Sequence, residues 1–125
     1  CAAVSDFKPS KYSDKKIKKD DISNIELGLK KNKDILSFVA SNFISAYVVG
    51  FAAETDNVDT NAKKKLKAKN LDMIVSNDVS DKSIGFDVDD NEVNVYTKNN
   101  KFFLKKDKKI RIAREVLKIV ASNIN

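Results

Sequence analysis

Between Ala62 and Asn70 the chain reads AKKKLKAKN, which puts Lys63, Lys64, Lys65, Lys67 and Lys69 inside seven positions. Ammonium groups at that density repel one another. The stretch is therefore either a solvated helix face or a place where an anion is held, with phosphate the first choice. Phasing a helix at about 100° per residue separates the five. With Ala62 at 0°, Leu66 falls at about 40° and Val58 at about 320°, which defines the face that packs on a sheet. Lys65 and Lys69 fall at about 300° and 340°, beside that apolar stripe. Lys63, Lys64 and Lys67 fall between about 100° and 200°, facing water. Lys65 and Lys69 are thus an i,i+4 pair of like charges turned toward the body of the protein, an arrangement that makes sense if something anionic lies near them. Lys69 has a second reason for its place, since the end of a helix dipole favours a cation.

Other chemistries are narrowed by what is missing. The sequence has no histidine and one cysteine, Cys1. That removes the usual zinc sites, His-based triads and any internal disulfide, and it fits a reducing cytoplasm. A net charge of +6 points to an anionic partner. The aromatics do not interleave with the lysines as a base-stacking platform requires, so the expected partner is not nucleic acid. No apolar run approaches the roughly 20 residues of a membrane span.

These residues need a scaffold, and hydrophobic periodicity supplies one. Cys1–Val4 reads as the end of a buried strand, followed by a polar loop or flap from Asp6 to Asp21. Ile25, Leu27 and Leu29 alternate with polar or small residues, the period of a half-buried strand. Asn32 can cap a helix over Asp34–Asn42. Ala46–Ala53 (AYVVGFAA) fits a central parallel strand covered on both faces. A helix follows over Asn57–Lys69, then a buried strand at Leu71–Ser76. Glu92–Lys98 and Lys101–Lys106 flank Asn99-Asn100 as a hairpin, and Lys108–Ile124 is an amphipathic helix with Ile112, Val116, Ile119 and Val120 inward. The expected fold is α/β, a Rossmann-like three-layer domain with a mainly parallel sheet and a C-terminal hairpin plus helix. Ligands of such sheets bind beyond the carboxyl ends of the strands. Here those ends are Ser5-Asp6, Glu54-Thr55 and Asn77-Asp78.

The stretch VVGFAAETDNVDTNAKKKLKAKNLDMIVSNDVS (Val48–Ser80) closely resembles the phosphopantothenate–cysteine ligase domain, the synthetase half of a bacterial bifunctional decarboxylase/synthetase. CAAVSDFKP at the start, KIKK at Lys16–Lys19, KNKDIL at Lys31–Leu36 and GFDVDDN at Gly85–Asn91 match in the same order. The resemblance implies a dimerising Rossmann-like fold. It also implies activation of 4′-phosphopantothenate by CTP and Mg2+ to an acyl-cytidylate, with cysteine then attacking, a step of coenzyme A synthesis in the cytoplasm. For the nucleotide it implies Cys1 and Ala2 at a strand end, and Asp6 as an acid reaching the ribose or the metal. Lys16 falls on the flap, and Lys33, Asp34, Ile35 and Leu36 form a loop in which Lys33 stands where the family has proline. Phe51 belongs to VGFAAE, while Lys65 and Lys69 carry the phosphate chemistry. The resemblance thus selects the two lysines that helical phasing separates from the other three. Asp89 and Asn91 fall in a matched motif without a role.

The family's domain begins with a strand, a glycine-containing phosphate turn, a helix and a segment bearing a catalytic asparagine, none of which precedes Cys1 here. Residues 1–125 therefore read as the C-terminal portion of such a domain, inactive alone. In the full-length protein the upstream synthetase half and a flavin-dependent decarboxylase domain would accompany it. The rival reading is a non-catalytic basic module that binds nucleotide or RNA on the same fold.

Overall fold

A computed structural model describes residues 4–16, 24–80, 83–84 and 88–124. The chain divides into two compact units, Cys1–Ile35 and Leu36–Asn125.

In the first unit, β1 (Phe7–Pro9) pairs antiparallel with β2 (Leu29–Lys31), with Phe7 opposite Lys31 and Pro9 opposite Leu29. β1 thus lies inside the segment expected to be loop. Of the alternating residues, only Leu29 enters a strand, and Ile25, Leu27 and Leu29 all remain exposed. Asn32 is not a helix cap. Its amide Nδ2 donates to the Ser5 carbonyl at 2.7 Å and its backbone N–H donates to the Asp6 carbonyl at 2.8 Å, so it closes the small ribbon instead. Of the buried strand end expected at Cys1–Val4, Cys1–Ala3 lie outside the described residues, and Val4 is exposed and belongs to no strand.

The second unit holds α1 from Leu36 onward (Ile35–Asn42), β3 (Val49–Glu54), α2 (Val58–Ala68), β4 (Met73–Asp78), β5 (Asp90–Thr97), β6 (Lys101–Lys108) and α3 (Lys109–Asn123). Its sheet runs β3-β4-β5-β6, with β3 and β4 parallel and the β4/β5 and β5/β6 pairings antiparallel. The β3-α2-β4 crossover and the following hairpin and helix are the α/β arrangement expected.

Two apolar clusters sandwich the sheet. Ala52, Ala62, Leu66, Leu71, Ile74 and Tyr96 pack on the α2 side, joined by Ala40 and Leu36 of α1. Met73, Val75, Val93 and Val95 meet Ile112 and Val116 of α3 on the other side, with Ile119 and Val120 partly covered. The strand covered on both faces is β4, whose Met73–Ser76 are all buried. The apolar run at Ala46–Ala53 was expected to hold that place. Among the described residues, however, β3 has β4 as its one strand neighbour, and Phe51 is 76% exposed. Gly50 is where β3 is approached closely: a Cβ there would stand 2.7 Å from a Leu71 methyl and 3.0 Å from a Leu36 methyl. The bare backbone lets both leucines seat on the strand.

Candidate functional site

The carboxyl ends of β3 and β4 lie side by side, with Glu54 opposite Asp78 and the Val79 N–H donating to the Glu54 carbonyl at 2.9 Å. Period-two alternation turns Gly50, Ala52 and Glu54 toward the covered face, so a carboxylate is buried at the strand's last position. Helical side chains tilt toward their own N-terminus. Lys65, in the third turn of α2, therefore reaches back to the strand end. Its Nζ donates to Glu54 Oε1 at 2.6 Å. Asn61, one turn earlier, holds the second oxygen at 3.4 Å and also donates to the Asp56 carbonyl at 3.0 Å. The Glu54 side chain is 10% exposed and that of Lys65 45%. One N–H of the ammonium is thus committed to the protein while much of the group still faces solvent.

The phasing of α2 matches the structure: Lys65 and Lys69 are half-buried, and Lys63, Lys64 and Lys67 are exposed. The anion that a cation turned inward requires is supplied, at Lys65, by the protein's own Glu54. The sequence places Glu54 at a strand end but does not single it out as the partner of Lys65. The signal for it is an acid closing an apolar strand, followed 11 residues later by a lysine on the packing edge of a helix.

Lys69 is the C-cap of α2, and a Schellman turn fixes it there. Asn70, in the left-handed region at φ 52°, donates its N–H to the Lys67 carbonyl at 3.1 Å, and Leu71 donates to the Leu66 carbonyl at 3.0 Å. The buried Leu66 and Leu71 share the cluster beneath this turn.

A second polar group ties α2 to the hairpin. The Tyr96 hydroxyl donates to Asp59 Oδ1, and Lys101 Nζ donates to both Asp59 oxygens at 3.0 and 2.7 Å. The Lys101 hydrogen bond, then that from Tyr96, holds the Asp59 carboxyl below its usual range. Burial, then the Asp59 hydrogen bond and charge, pushes the Tyr96 phenol well above its own. The buried Ser76 hydroxyl opposes that rise weakly from nearby, but it meets no partner with hydrogen-bond geometry.

The remaining predicted site residues fall as follows. Phe51 sits on β3 with its side chain on the face opposite Glu54, so alternation does not bring it to Lys65. Leu36 packs on the α2-side cluster. Asp6, Lys16, Lys33, Asp34 and Ile35 belong to the first unit, where all five are exposed. Cys1 and Ala2 lie outside the described residues. Among the described residues, no three His, Cys, Asp or Glu side chains cluster to hold a metal. No helix among them is long and apolar enough to cross a membrane.

The DFP family, described as the DNA/pantothenate metabolism flavoprotein C-terminal domain, matches residues 1–124. The chain belongs to this family. Among its relatives, the coenzyme A biosynthesis bifunctional protein CoaBC of Bacillus subtilis is 41% identical over 122 residues, covering 97% of this chain and 30% of that protein. The CoaBC of Escherichia coli K12 is 44% identical over 99 residues, 77% of this chain and 24% of that one. This chain therefore spans about a third or less of the length of the relatives it matches. A crystal structure of the C-terminal domain of CoaBC superposes with a TM-score of 0.71 at 32% identity, covering 95% of this chain and half of that one. The DNA/pantothenate metabolism flavoprotein from Streptococcus pneumoniae shares the fold, with a TM-score of 0.68 at 23% identity over 98% of this chain and 58% of its own.

Proposed function

We propose that this DFP chain is the nucleotide-binding portion of a ligase that joins 4′-phosphopantothenate to cysteine at the expense of CTP, through an acyl-cytidylate, in coenzyme A biosynthesis. Membership of a family whose relatives are coenzyme A biosynthesis proteins supports the pathway. The observation that carries the nucleotide role is Lys65, an ammonium anchored by a buried carboxylate at the carboxyl end of β3 and still half exposed. Anchoring removes much of the conformational freedom a lysine loses on binding, so a phosphate meets a charge already in place. Lys65 and Lys69 neutralise charge on the triphosphate as pyrophosphate leaves. Phe51, on the other face of β3, and Leu36, packed on the core, are assigned nucleotide contacts by the resemblance alone, as are Cys1, Ala2, Lys16, Lys33, Asp34 and Ile35 of the first unit. Mg2+ bound chiefly through substrate phosphates needs only one or two carboxylates, and the exposed Asp6 suits that donor set. When bound, the ion would offset phosphate charge. The same reading has the active enzyme as a cytoplasmic homodimer that carries the upstream synthetase half and a flavin-dependent decarboxylase domain.

Pyrophosphate release from CTP, 4′-phosphopantothenate and cysteine tests the reading. In the full-length enzyme, Lys65→Ala and Lys69→Ala each lose on the order of 10- to 100-fold in activity, since a charge-assisted hydrogen bond is worth roughly 1.5–3 kcal/mol. Lys105→Ala, an exposed lysine away from both, stays within about threefold. The 125-residue chain alone gives no steady turnover. Equal losses in all three variants would reduce the lysines to bulk charge. Calorimetry adds a second outcome, because indifference to the base together with tight binding of mixed RNA would favour a non-catalytic basic module.

A further inference from the structure

The three lysines left over from the proposed site line a cleft of their own. Between the outer face of α2 and the turn of the β5–β6 hairpin lies an open cavity of about 490 Å³, bordered by Lys63, Lys64 and Lys67 on one side and Lys98 and Lys101 on the other. Its floor is apolar, made by Leu66 and the ring of Tyr96, both buried. Five lysines from two separate elements thus border one open cleft with an apolar floor.

The acids nearby offset two of the five, Lys98 and Lys101, and leave Lys63, Lys64 and Lys67 in excess. Asp59 is engaged by Lys101 and the Tyr96 hydroxyl, and Asp72 pairs with Lys98 at 3.0 Å. Lys63 lies 5.9 Å from the centroid of the Tyr96 ring, and Lys101 lies 5.5 Å from it. Among the described residues, Lys64 and Lys67 make no ion pair. Lys63 and Lys67 repel as an i,i+4 pair; Asp59, one turn before Lys63 on α2, attracts Lys63 but is already held by Lys101, and Lys67 has no acid one turn away on α2. The side-chain amides of Asn99 and Asn100 add neutral donors at the rim.

We propose that this cleft is a second anion site that takes a small molecule bearing several phosphate groups. It is distinct from the Lys65 site and does not depend on the ligase reading. The size suits a compact ligand rather than an extended one. Several point-charge donors around one space match clustered phosphates. Single-stranded nucleic acid would need an exposed aromatic face, and the one ring here is buried beneath the lysines.

Inorganic tripolyphosphate is the probe, titrated into the isotope-labelled chain at physiological salt with backbone and side-chain amide signals followed by NMR. Saturable shifts of the Asn99 and Asn100 side-chain amides are expected. Affinity read at those signals falls by about tenfold or more in Lys64→Gln/Lys67→Gln and stays within about twofold in Lys65→Gln/Lys69→Gln. The dispersion of each variant's spectrum reports that it is folded. Shifts that rise linearly without saturating, equal weakening in both double variants, or tighter binding of a mixed oligonucleotide at the same signals would each overturn the proposal. A failure of the ligase reading would show in the Lys65→Gln/Lys69→Gln variant's response to CTP and would leave the Asn99 and Asn100 signals untouched.

Discussion

Removing the Lys65 ammonium should cost stability as well as activity, and the sizes of two opposed effects decide the sign. Crowding with Lys69 argues that Lys65→Ala relieves repulsion and spares the fold. A like-charge i,i+4 pair on a helix is worth only about 0.2–0.5 kcal/mol. Against it stands Glu54, whose side chain is 10% exposed and would keep only Asn61 at 3.4 Å as its hydrogen-bond partner. Stranding a buried polar group costs about 1–3 kcal/mol, and more for a charge. The partner ammonium is 45% exposed, so water already screens the pair and the lower half of that range applies. Lys65→Ala should therefore lose about 1.5 kcal/mol net, and Glu54→Gln about 1 kcal/mol, since the amide oxygen still accepts from Lys65. In the double variant neither group is stranded, and a coupling of about 1 kcal/mol should appear. Urea unfolding of the four proteins at neutral pH and fixed ionic strength measures it. Additivity within about 0.3–0.5 kcal/mol would show that the two side chains do not depend on one another, and the anchored-lysine argument would then fail.

Two further outcomes follow from the rest of α2. At Asn70, φ 52° is a conformation that β-branched residues resist, so Asn70→Val should lose about 1–2 kcal/mol while Asn70→Gly stays within about 0.5 kcal/mol of the parent; equal urea midpoints for the two would remove the Schellman turn as the device that fixes Lys69. Asp59 is held below the ordinary carboxylate value of 3.8 by Lys101 and then Tyr96, so its contribution is complete above that pH and is lost as pH falls through the lower folded value. The stability gap between the parent and Asp59→Asn should accordingly hold from neutrality down to about pH 4 and close below it; a gap unchanged into strong acid would mean that the ionised carboxylate does not tie α2 to the hairpin.

What a sequence makes legible depends on how far apart the determining residues lie. The separation of Lys65 and Lys69 from Lys63, Lys64 and Lys67 is a property of one helix, set by a period and a single apolar stripe, and the structure shows the same partition. The hairpin and α3 are local in the same sense, with a turn between two alternating runs and then Ile112 and Val116 one turn apart. The place of β3 is not local. An apolar run records that side chains avoid water but not how many strands flank it, and AYVVGFAA and MIVS look alike until pairing is known. The exposure of Phe51 and the partner of Asn32 are hidden for the same reason. The exposure of the phenylalanine depends on what lies over β3, and the asparagine's choice of the Ser5 carbonyl depends on a residue 27 positions away. Glu54 is the instructive case for the site. Strand period alone says that it points inward, which for a carboxylate carries a desolvation cost unless a cation comes with it. Helix period alone says that Lys65 points inward, with the same difficulty. Each is an anomaly within its own element, and the β3-α2 crossover makes each the answer to the other. Two inward-facing charges of opposite sign, one closing a parallel strand and one in the third turn of the helix that follows, are a readable pair once they are considered together.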